Sequence, residues 1–205
     1  KHLCEKAKSV VSSEIDPNLY HSSLLKLSKY SNLTLLNIDG LKYDGKFDIF
    51  VSSLPYSESE RFIYWLINQK FKNATVILQK EFTDKLISNI NRDSYRSISV
   101  VSQYCLDIKP VETIPPSDFH PSPKVHSTIV VIKSKNTLTN NEISTIKKLF
   151  SFRRKQLGSI LNLLNPQENI VSYCSKNFDL SKRIHEFSPD SIVSLAKLLT
   201  DERIS

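Results

Sequence analysis

A short loop in the first third of the chain combines residue types that could bind an aromatic amine. Ser52–Tyr56 directly follows a short apolar run. The exocyclic nitrogen of a base such as adenine donates its lone pair into the ring, so it is a poor nucleophile until oxygen atoms accept its two protons. Ser53 could supply a side-chain oxygen and Leu54 a carbonyl group, while Pro55 fixes the backbone and the ring of Tyr56 stacks on the base. Methyl transfer to an amino group would suit this loop, but a core tyrosine in an ordinary strand-to-loop turn is the other interpretation.

Two acidic residues stand where predicted strands end. Glu14 follows the apolar pair Val10–Val11, and Asp39 follows the run Leu33–Ile38. Doubly wound sheets bind ligands at the carboxyl ends of their strands, where a carboxylate could accept hydrogen bonds from a ribose diol or from an adenine amino group. Two solvated acids would give the same pattern, so the residues alone leave both interpretations open.

The elements around these residues alternate between strand and helix over the first two thirds of the chain. Strands are predicted over Val10–Asp16, Leu33–Asp39, Phe47–Val51, Ala74–Leu78, Ser97–Tyr104, Leu106–Ile114 and His126–Ile132. Helices are predicted over Asn18–Tyr30, Glu58–Gln69 and Glu81–Asn89, the first of them capped by Asp16 with Pro17 next. This alternation predicts an α/β fold, with a mostly parallel sheet, helices on both faces and an antiparallel final strand.

The pattern changes near residue 133. Helices are predicted over Glu142–Leu164 and Ser188–Leu199, and β-branched runs become rare. We therefore expect a Rossmann-like domain over residues 1–132 and a small all-α domain over residues 133–205. Of the net charge of +7, the residues from Lys133 onward carry +5, as expected if this part contacts a polyanion.

Composition excludes several classes of protein. The 205 residues, 40% hydrophobic and 24% charged, suit a well-packed core and argue against disorder. No apolar run is long enough to span a membrane, and no signal peptide is visible, so we expect a cytoplasmic protein. The three cysteines form no Cys-x-x-Cys pair, and they predict neither a disulfide framework nor a metal site.

Several longer segments resemble the KsgA-type small-subunit rRNA adenine dimethyltransferases, in the family's order and over almost the whole chain. The loop Ser53–Tyr56 is similar to the family's Asn-Leu-Pro-Tyr or Asn-Ile-Pro-Tyr. Other segments resemble its Gln-Lys-Glu, Tyr-Gly-Arg-Leu-Ser-Val…Gln-Tyr, Phe-x-Pro-x-Pro-Lys-Val-x-Ser and Arg-Arg-Lys motifs and its final helix. These segments are Gln79–Glu81, Tyr95–Tyr104, Phe119–Ser127, Arg153–Lys155 and Phe187–Leu199.

The resemblance implies a class I methyltransferase fold and two methyl transfers from S-adenosylmethionine to each of two adjacent adenines in small-subunit rRNA. It implies that Glu14 binds the cofactor ribose and Asp39 the cofactor adenine. Ser53 would lie beside both cofactor and target amine. Phe119 would pack against the target base.

The resemblance also implies a partner, which is small-subunit rRNA in a pre-ribosomal particle, bound by a monomer. Arg153, Arg154 and Lys155 would contact phosphates, with a solvated helix face as the alternative. Lys124 could touch phosphate or support the active-site loop, and the sequence does not separate these roles. A small-molecule methyltransferase would gain nothing from the basic helical region.

Two features depart from the family pattern. The family's first strand and glycine-rich loop have no counterpart here, Lys1–Lys8 looks like the helix that follows them, and the chain contains no Met. We expect a longer protein to carry the missing segment. Ser53 replaces the usual Asn, and a hydroxyl is shorter than an amide. The alternative function is therefore a catalytically weakened or inactive family member that binds rRNA as a ribosome-assembly or transcription factor.

Overall fold

The computed structural model describes residues 1–201, which divide into two compact units, residues 1–46 and the residues from Phe47 onward. The smaller unit contains strand β1 (Val10–Ser13), helix α1 (Pro17–Leu27) and strand β2 (Leu33–Leu36). β1 and β2 pair in parallel. The Asp16 carboxylate caps α1 as predicted, because it accepts hydrogen bonds from the N–H groups of Asn18 at 2.7 Å and Leu19 at 3.2 Å.

The first residues of the smaller unit form turns, so the helix expected over Lys1–Lys8 is wrong. The side-chain amide of Asn32 donates to the carbonyl groups of Cys4 at 2.8 Å and Ala7 at 2.9 Å. In a continuous helix, backbone N–H groups four residues further on would bind these oxygens. The backbone carbonyl of Asn32 accepts a hydrogen bond from the N–H of Val10 at 2.9 Å. Asn32 therefore ties the turns to the start of β1.

The larger unit is built on a four-stranded sheet within the described residues. Its strands are β3 (Ile49–Ser53), β4 (Asn73–Gln79), β5 (Leu106–Ile114) and β6 (Ser127–Ser134), in the order β3-β4-β6-β5. β3 and β4 are parallel, and β6 pairs antiparallel with both β4 and β5. The last strand alone opposes the others in this sheet, which confirms the predicted antiparallel final strand.

Three helices of the larger unit precede β5, and one of them corrects the sequence prediction. Ser97–Tyr104, expected as a strand, belongs to a helix. Within it, Ser99 Oγ donates to the carbonyl of Lys85 at 2.6 Å and Ser102 Oγ to that of Leu86 at 2.8 Å. These hydroxyls satisfy the last carbonyl groups of the helix before it, a tertiary role that outweighs the strand propensity of the β-branched residues. The helices are α2 (Ser59–Leu66), α3 (Lys80–Leu86) and α4 (Ser97–Cys105).

The chain after β6 is helical, as predicted, but the single helix expected over Glu142–Leu164 is two helices. The N–H groups of Leu157 and Gly158 donate to the carbonyls of Lys182 at 2.8 Å and Leu180 at 3.0 Å. These bonds go to another segment of the chain, so the predicted helix is interrupted and the chain bends between the two helices. One helix was not predicted, because only two of its residues are buried and the apolar pattern is weak. The helices are α5 (Asn140–Ser151), α6 (Leu157–Leu164), α7 (Glu168–Asn177) and α8 (Pro189–Thr200).

The domain boundary expected between residues 132 and 133 falls inside β6 and stays a prediction. The larger unit includes both the four-stranded sheet and the helices after it. Within residues 1–201, no helix has the length and apolar character needed to cross a membrane.

Candidate functional site

The loop singled out in the sequence lies at the carboxyl end of β3. Ser53 is the last residue of the strand, and Tyr56 begins a short 3₁₀ helix, Tyr56–Glu58, that leads into α2. Pro55 has a φ of −55°, and its carbonyl accepts a hydrogen bond from the N–H of Glu58 at 2.9 Å. The proline therefore holds the loop in a compact turn. This turn forms one wall of a cleft.

This cleft, called the acceptor cleft below, has a volume of about 230 Å³. Part of its lining comes from the loop after β3, and part from the proline-rich segment between β5 and β6. Tyr56 and Phe119, one from each segment, are both half-buried. The structure thus brings Ser53–Tyr56, predicted to line the target-amine site, together with Phe119, predicted to pack against the target base. The lining consists of Ser53, Leu54, Pro55, Tyr56, Ile77, Phe119, Pro121 and Pro123.

The ring of Tyr56 is attached to the sheet by its hydroxyl group. Tyr56 OH and Ser127 Oγ are hydrogen-bonded at 2.6 Å. Ser127 is the first residue of β6, and its side chain is completely buried. Ser127 ends the segment Phe119–Ser127 that resembles a family motif, but the sequence alone indicates no function for it.

The two predicted cofactor-binding acids follow neighbouring parallel strands of the smaller unit. Glu14 comes directly after β1, and Asp39 follows β2 after two intervening residues. The last residues of the two strands, Ser13 and Leu36, are register partners, so both acids stand at the same edge. A Cβ atom on Gly40 would come within 2.5 Å of Ser13 Oγ, because the loop after β2 passes close to the end of β1.

Backbone hydrogen bonds orient both carboxylates. Glu14 Oε1 accepts from the N–H of Asp16 at 2.9 Å, and Asp39 Oδ1 accepts from the N–H of Leu41 at 3.0 Å. Both acids are half-buried. A carboxylate has about four lone-pair positions, so each group can accept further hydrogen bonds from hydroxyl or amino groups. The pair therefore fits a cofactor that contains an adenosine.

The three basic residues predicted to bind RNA do not share one environment. They lie in the turn between α5 and α6, inside the span that the sequence predicted as a single helix. The Arg153 side chain is only 15% exposed, with Nη1 3.9 Å from Asp93 Oδ1 and Nη2 donating to the carbonyl of Arg92 at 3.4 Å. Burial, together with the nearby Arg96 charge, lowers the pKa of Arg153. Arg153 braces the turn against the loop before α4, whereas Arg154 and Lys155 are exposed.

Other exposed basic residues lie on the segments that adjoin this turn. An antiparallel bridge joins Gln156 to Arg183, so the turn before residue 184 runs beside the one that holds Arg154 and Lys155. Sequence reasoning missed these neighbours because they come from three separate parts of the chain. We call the exposed set the basic surface; it comprises Arg92, Arg154, Lys155, Lys182 and Arg183.

Lys124 is exposed in the proline-rich segment that contributes to the acceptor cleft. The carbonyl of His126, two residues later, accepts a hydrogen bond from the N–H of Lys80 at 2.9 Å, which ties this segment to the start of α3. A contact between Lys124 and RNA stays a prediction.

A larger cleft of about 560 Å³ lies at the opposite end of β6. Among the described residues, its lining contains no aromatic ring and none of the predicted site residues. Its polar side chains include Asp107, Lys133 and Lys135. The chemistry of base recognition therefore favours the smaller acceptor cleft. No cluster of histidine, cysteine and acidic residues within the described chain could hold a metal ion.

The structure is similar to the crystal structure of a dimethyladenosine transferase from Plasmodium falciparum. The TM-score is 0.78 with 25% sequence identity, and the match covers 95% of this chain and 82% of that chain. The fold is that of the class I, S-adenosylmethionine-dependent methyltransferases, followed by a helical region.

Sequence comparisons define the family within this class. The model of the family described as ribosomal RNA adenine dimethylase matches residues 1–201. A ribosomal RNA small subunit methyltransferase A from Mycoplasma mobile is 34% identical over an alignment of 183 positions, which covers 85% of this chain and 72% of that protein. A probable ribosomal RNA small subunit methyltransferase A from Methanosarcina acetivorans is 30% identical over an alignment of 213 positions, which covers 98% of this chain and 79% of that protein. The chain belongs to the ribosomal RNA adenine dimethylase family, and the resemblance recognised in its sequence is confirmed.

Proposed function

We propose that this protein transfers methyl groups from S-adenosylmethionine to the exocyclic amino groups of adjacent adenines in small-subunit rRNA, giving dimethyladenosine. The observation that carries the proposal is the acceptor cleft, where two half-buried aromatic rings and the polar loop after β3 line one space. Such a cleft suits a base that has left its stack. Membership of the family supports the same reaction.

Within the acceptor cleft, the residues of the chain hold and activate the target amine. The hydroxyl of Ser53 and the carbonyl of Leu54 accept hydrogen bonds from the N–H groups of the amine, so the nitrogen lone pair is withdrawn from conjugation with the ring. The rings of Tyr56 and Phe119 hold the plane of the adenine and so aim that lone pair. Each transfer would leave S-adenosylhomocysteine, and the methylated nitrogen would lose its extra proton to solvent.

S-adenosylmethionine supplies a methyl group activated by its sulfonium charge. Glu14 accepts hydrogen bonds from the ribose hydroxyls and Asp39 from the adenine amino group. Replacing either acid by its amide should weaken cofactor binding by about tenfold or more, because a charge-assisted hydrogen bond is lost. Calorimetry with Glu14→Gln and Asp39→Asn would measure this loss. The exposed Asp44 of the same unit is a matched control, and an equal loss in Asp44→Asn would contradict the assignment.

The basic surface supports RNA as the substrate. Proteins bind packed RNA mainly through its phosphates and its shape, and exposed arginine and lysine side chains provide the opposite charge. Five such residues come from three neighbouring segments here. Arg153 contributes by bracing the turn that presents two of them.

We further propose that the substrate rRNA is bound in a pre-ribosomal particle by a monomer in the cytoplasm. Relatives named ribosomal RNA small subunit methyltransferase A support small-subunit rRNA as the RNA that is bound. The three cysteines are all free and buried, which is in keeping with a reducing compartment.

The proposal is tested by incubating the full-length gene product with methyl-labelled S-adenosylmethionine and small ribosomal subunits that lack the modification. We expect label in the small-subunit rRNA and none in large subunits treated in parallel. Tight binding of the subunit without transfer would instead support an inactive rRNA-binding factor, the alternative that the replacement of Asn by Ser53 raises.

A further inference from the structure

A hydrogen bond joins Tyr56, which lines the acceptor cleft, to Ser127, a residue of the sheet that lies outside the cleft lining. Tyr56 OH and Ser127 Oγ are 2.6 Å apart, near the short end of the range for hydroxyl pairs. Ser127 is not part of the cleft lining, and its hydrogen bond to Tyr56 links it to a residue that is.

The two partners in this bond differ in how firmly they are held. Ser127 lies in β6 as the register partner of Gln79 in β4 and of Ile114 in β5, and its side chain is completely buried. Tyr56 begins a 3₁₀ helix in a loop, and its side chain is half-buried. Two torsion angles set the direction of a tyrosine ring, and a hydrogen bond at the far end restrains both of them. The completely buried serine therefore restrains the half-buried ring of Tyr56.

We propose that Ser127 is a positioning residue for methyl transfer. It holds the Tyr56 ring at the angle at which a stacked base presents its amino nitrogen to Ser53 and Leu54. This role rests on the proposed function. Loss of the bond leaves the stacking surface intact but lets the ring tilt. Misalignment of reacting atoms slows the chemical step more than it weakens binding, so kcat falls while KM for rRNA changes little.

The experiment compares kcat and KM for small-subunit methylation in variants of the full-length gene product, with thermal melting of each variant. Ser127→Ala and Tyr56→Phe remove the same hydrogen bond from its two ends, and a double variant combines them. Ser127→Thr keeps a hydroxyl at the position. Thr128→Val is the matched control, because Thr128 is the next residue of β6, is 4% exposed and points to the other face of the sheet.

Each single loss of the bond should lower kcat by about tenfold, with KM for rRNA within about twofold of wild type. The double variant should be no slower than the slower single variant, because both changes remove one interaction. Ser127→Thr should recover most of the lost kcat, and Thr128→Val should match wild type.

Losses that multiply in the double variant would overturn the role, because Ser127 would then act independently of Tyr56. A wild-type kcat in Ser127→Ala would also overturn the role. If Ser127→Ala does not fold, a wild-type kcat in Tyr56→Phe would overturn it. The wild-type protein separates this failure from that of the proposed function. If wild type transfers no methyl group, the proposed function fails and this role with it; if wild type is active and the cycle shows no coupling, only the role fails.

Discussion

The acceptor cleft and the basic surface are built in different ways. The cleft takes its site residues from the loop after β3 and the proline-rich segment before β6, and the bond between Tyr56 and Ser127 ties one of its rings to the buried sheet. The basic surface takes its residues from three segments linked by backbone contacts and by Arg153, and its charged side chains are exposed.

This difference separates two kinds of dependence on structure. Methyl transfer depends on distances and angles between a few atoms, so one altered contact in the cleft should have a large effect. Phosphate binding depends on a sum of charges that salt screens, so each residue of the basic surface should contribute a small and similar share. Changes in the two regions should therefore alter different measurements.

The largest effect is expected in the cleft. Tyr56→Ala removes the stacking ring, and methyl transfer should fall by about a hundredfold or more because the base is no longer held in its plane. Affinity for the small subunit should stay nearly unchanged. Both quantities are measured with labelled S-adenosylmethionine and with a subunit-binding assay. The exposed Tyr173 offers a matched control, and comparable losses in Tyr173→Ala and Tyr56→Ala would remove the stacking role.

The next effect concerns the basic surface. Replacing Arg154 and Lys155 together by Gln should weaken subunit binding by roughly tenfold and lower the slope of log affinity against log salt concentration by about 1.5. Binding titrations at several salt concentrations would measure the slope. Lys70 and Lys109 are exposed lysines elsewhere in the larger unit, and their double Gln variant should keep the wild-type slope. An unchanged slope in the Arg154 and Lys155 variant would identify these residues as ordinary solvated side chains.

A smaller effect on stability distinguishes Arg153, which braces the turn, from the exposed residues of the basic surface. Arg153→Ala should lower the free energy of unfolding by about 1–2 kcal/mol, because it removes one hydrogen bond, one ion pair and the packing of a largely buried side chain. Arg154→Ala should change it by less than about 0.5 kcal/mol. Denaturant unfolding compares the two variants. Equal stabilities would contradict the bracing role of Arg153.

The smallest effect is expected from Ser53→Asn, which restores the residue usual in the family loop. An amide oxygen reaches further than a hydroxyl, so it should accept an amino proton more directly and raise kcat a few-fold. Steady-state kinetics with small subunits would measure the change. A large loss of kcat would mean that the cleft is adapted to the shorter serine side chain.

The acceptor loop could be predicted from sequence because its residues are contiguous and follow a recognisable strand. Asp16 as a helix cap was predictable for the same reason, since a local pattern determines it. The contact between Tyr56 and Ser127 joins residues 71 positions apart and depends on the place of β6 in the sheet, so no local pattern contains it.

Tertiary contacts also explain what the sequence prediction had wrong or incomplete. Ser99 and Ser102 stabilise α4 by satisfying carbonyl groups of another helix, which overrides the β-branched pattern that predicted a strand. Arg153 and Arg154 look equivalent in the sequence. Only the structure shows that the Arg153 side chain is largely buried and lies close to Asp93 in a neighbouring loop.

The most direct test of the central claim is nucleoside analysis of small-subunit rRNA after reaction with the full-length protein and S-adenosylmethionine, with Tyr56→Ala in parallel. The account predicts dimethyladenosine at two adjacent positions with the wild-type protein and almost none with the variant. Unmodified adenine in rRNA from subunits that the wild-type protein binds tightly would contradict the account and identify a binding factor without catalytic activity.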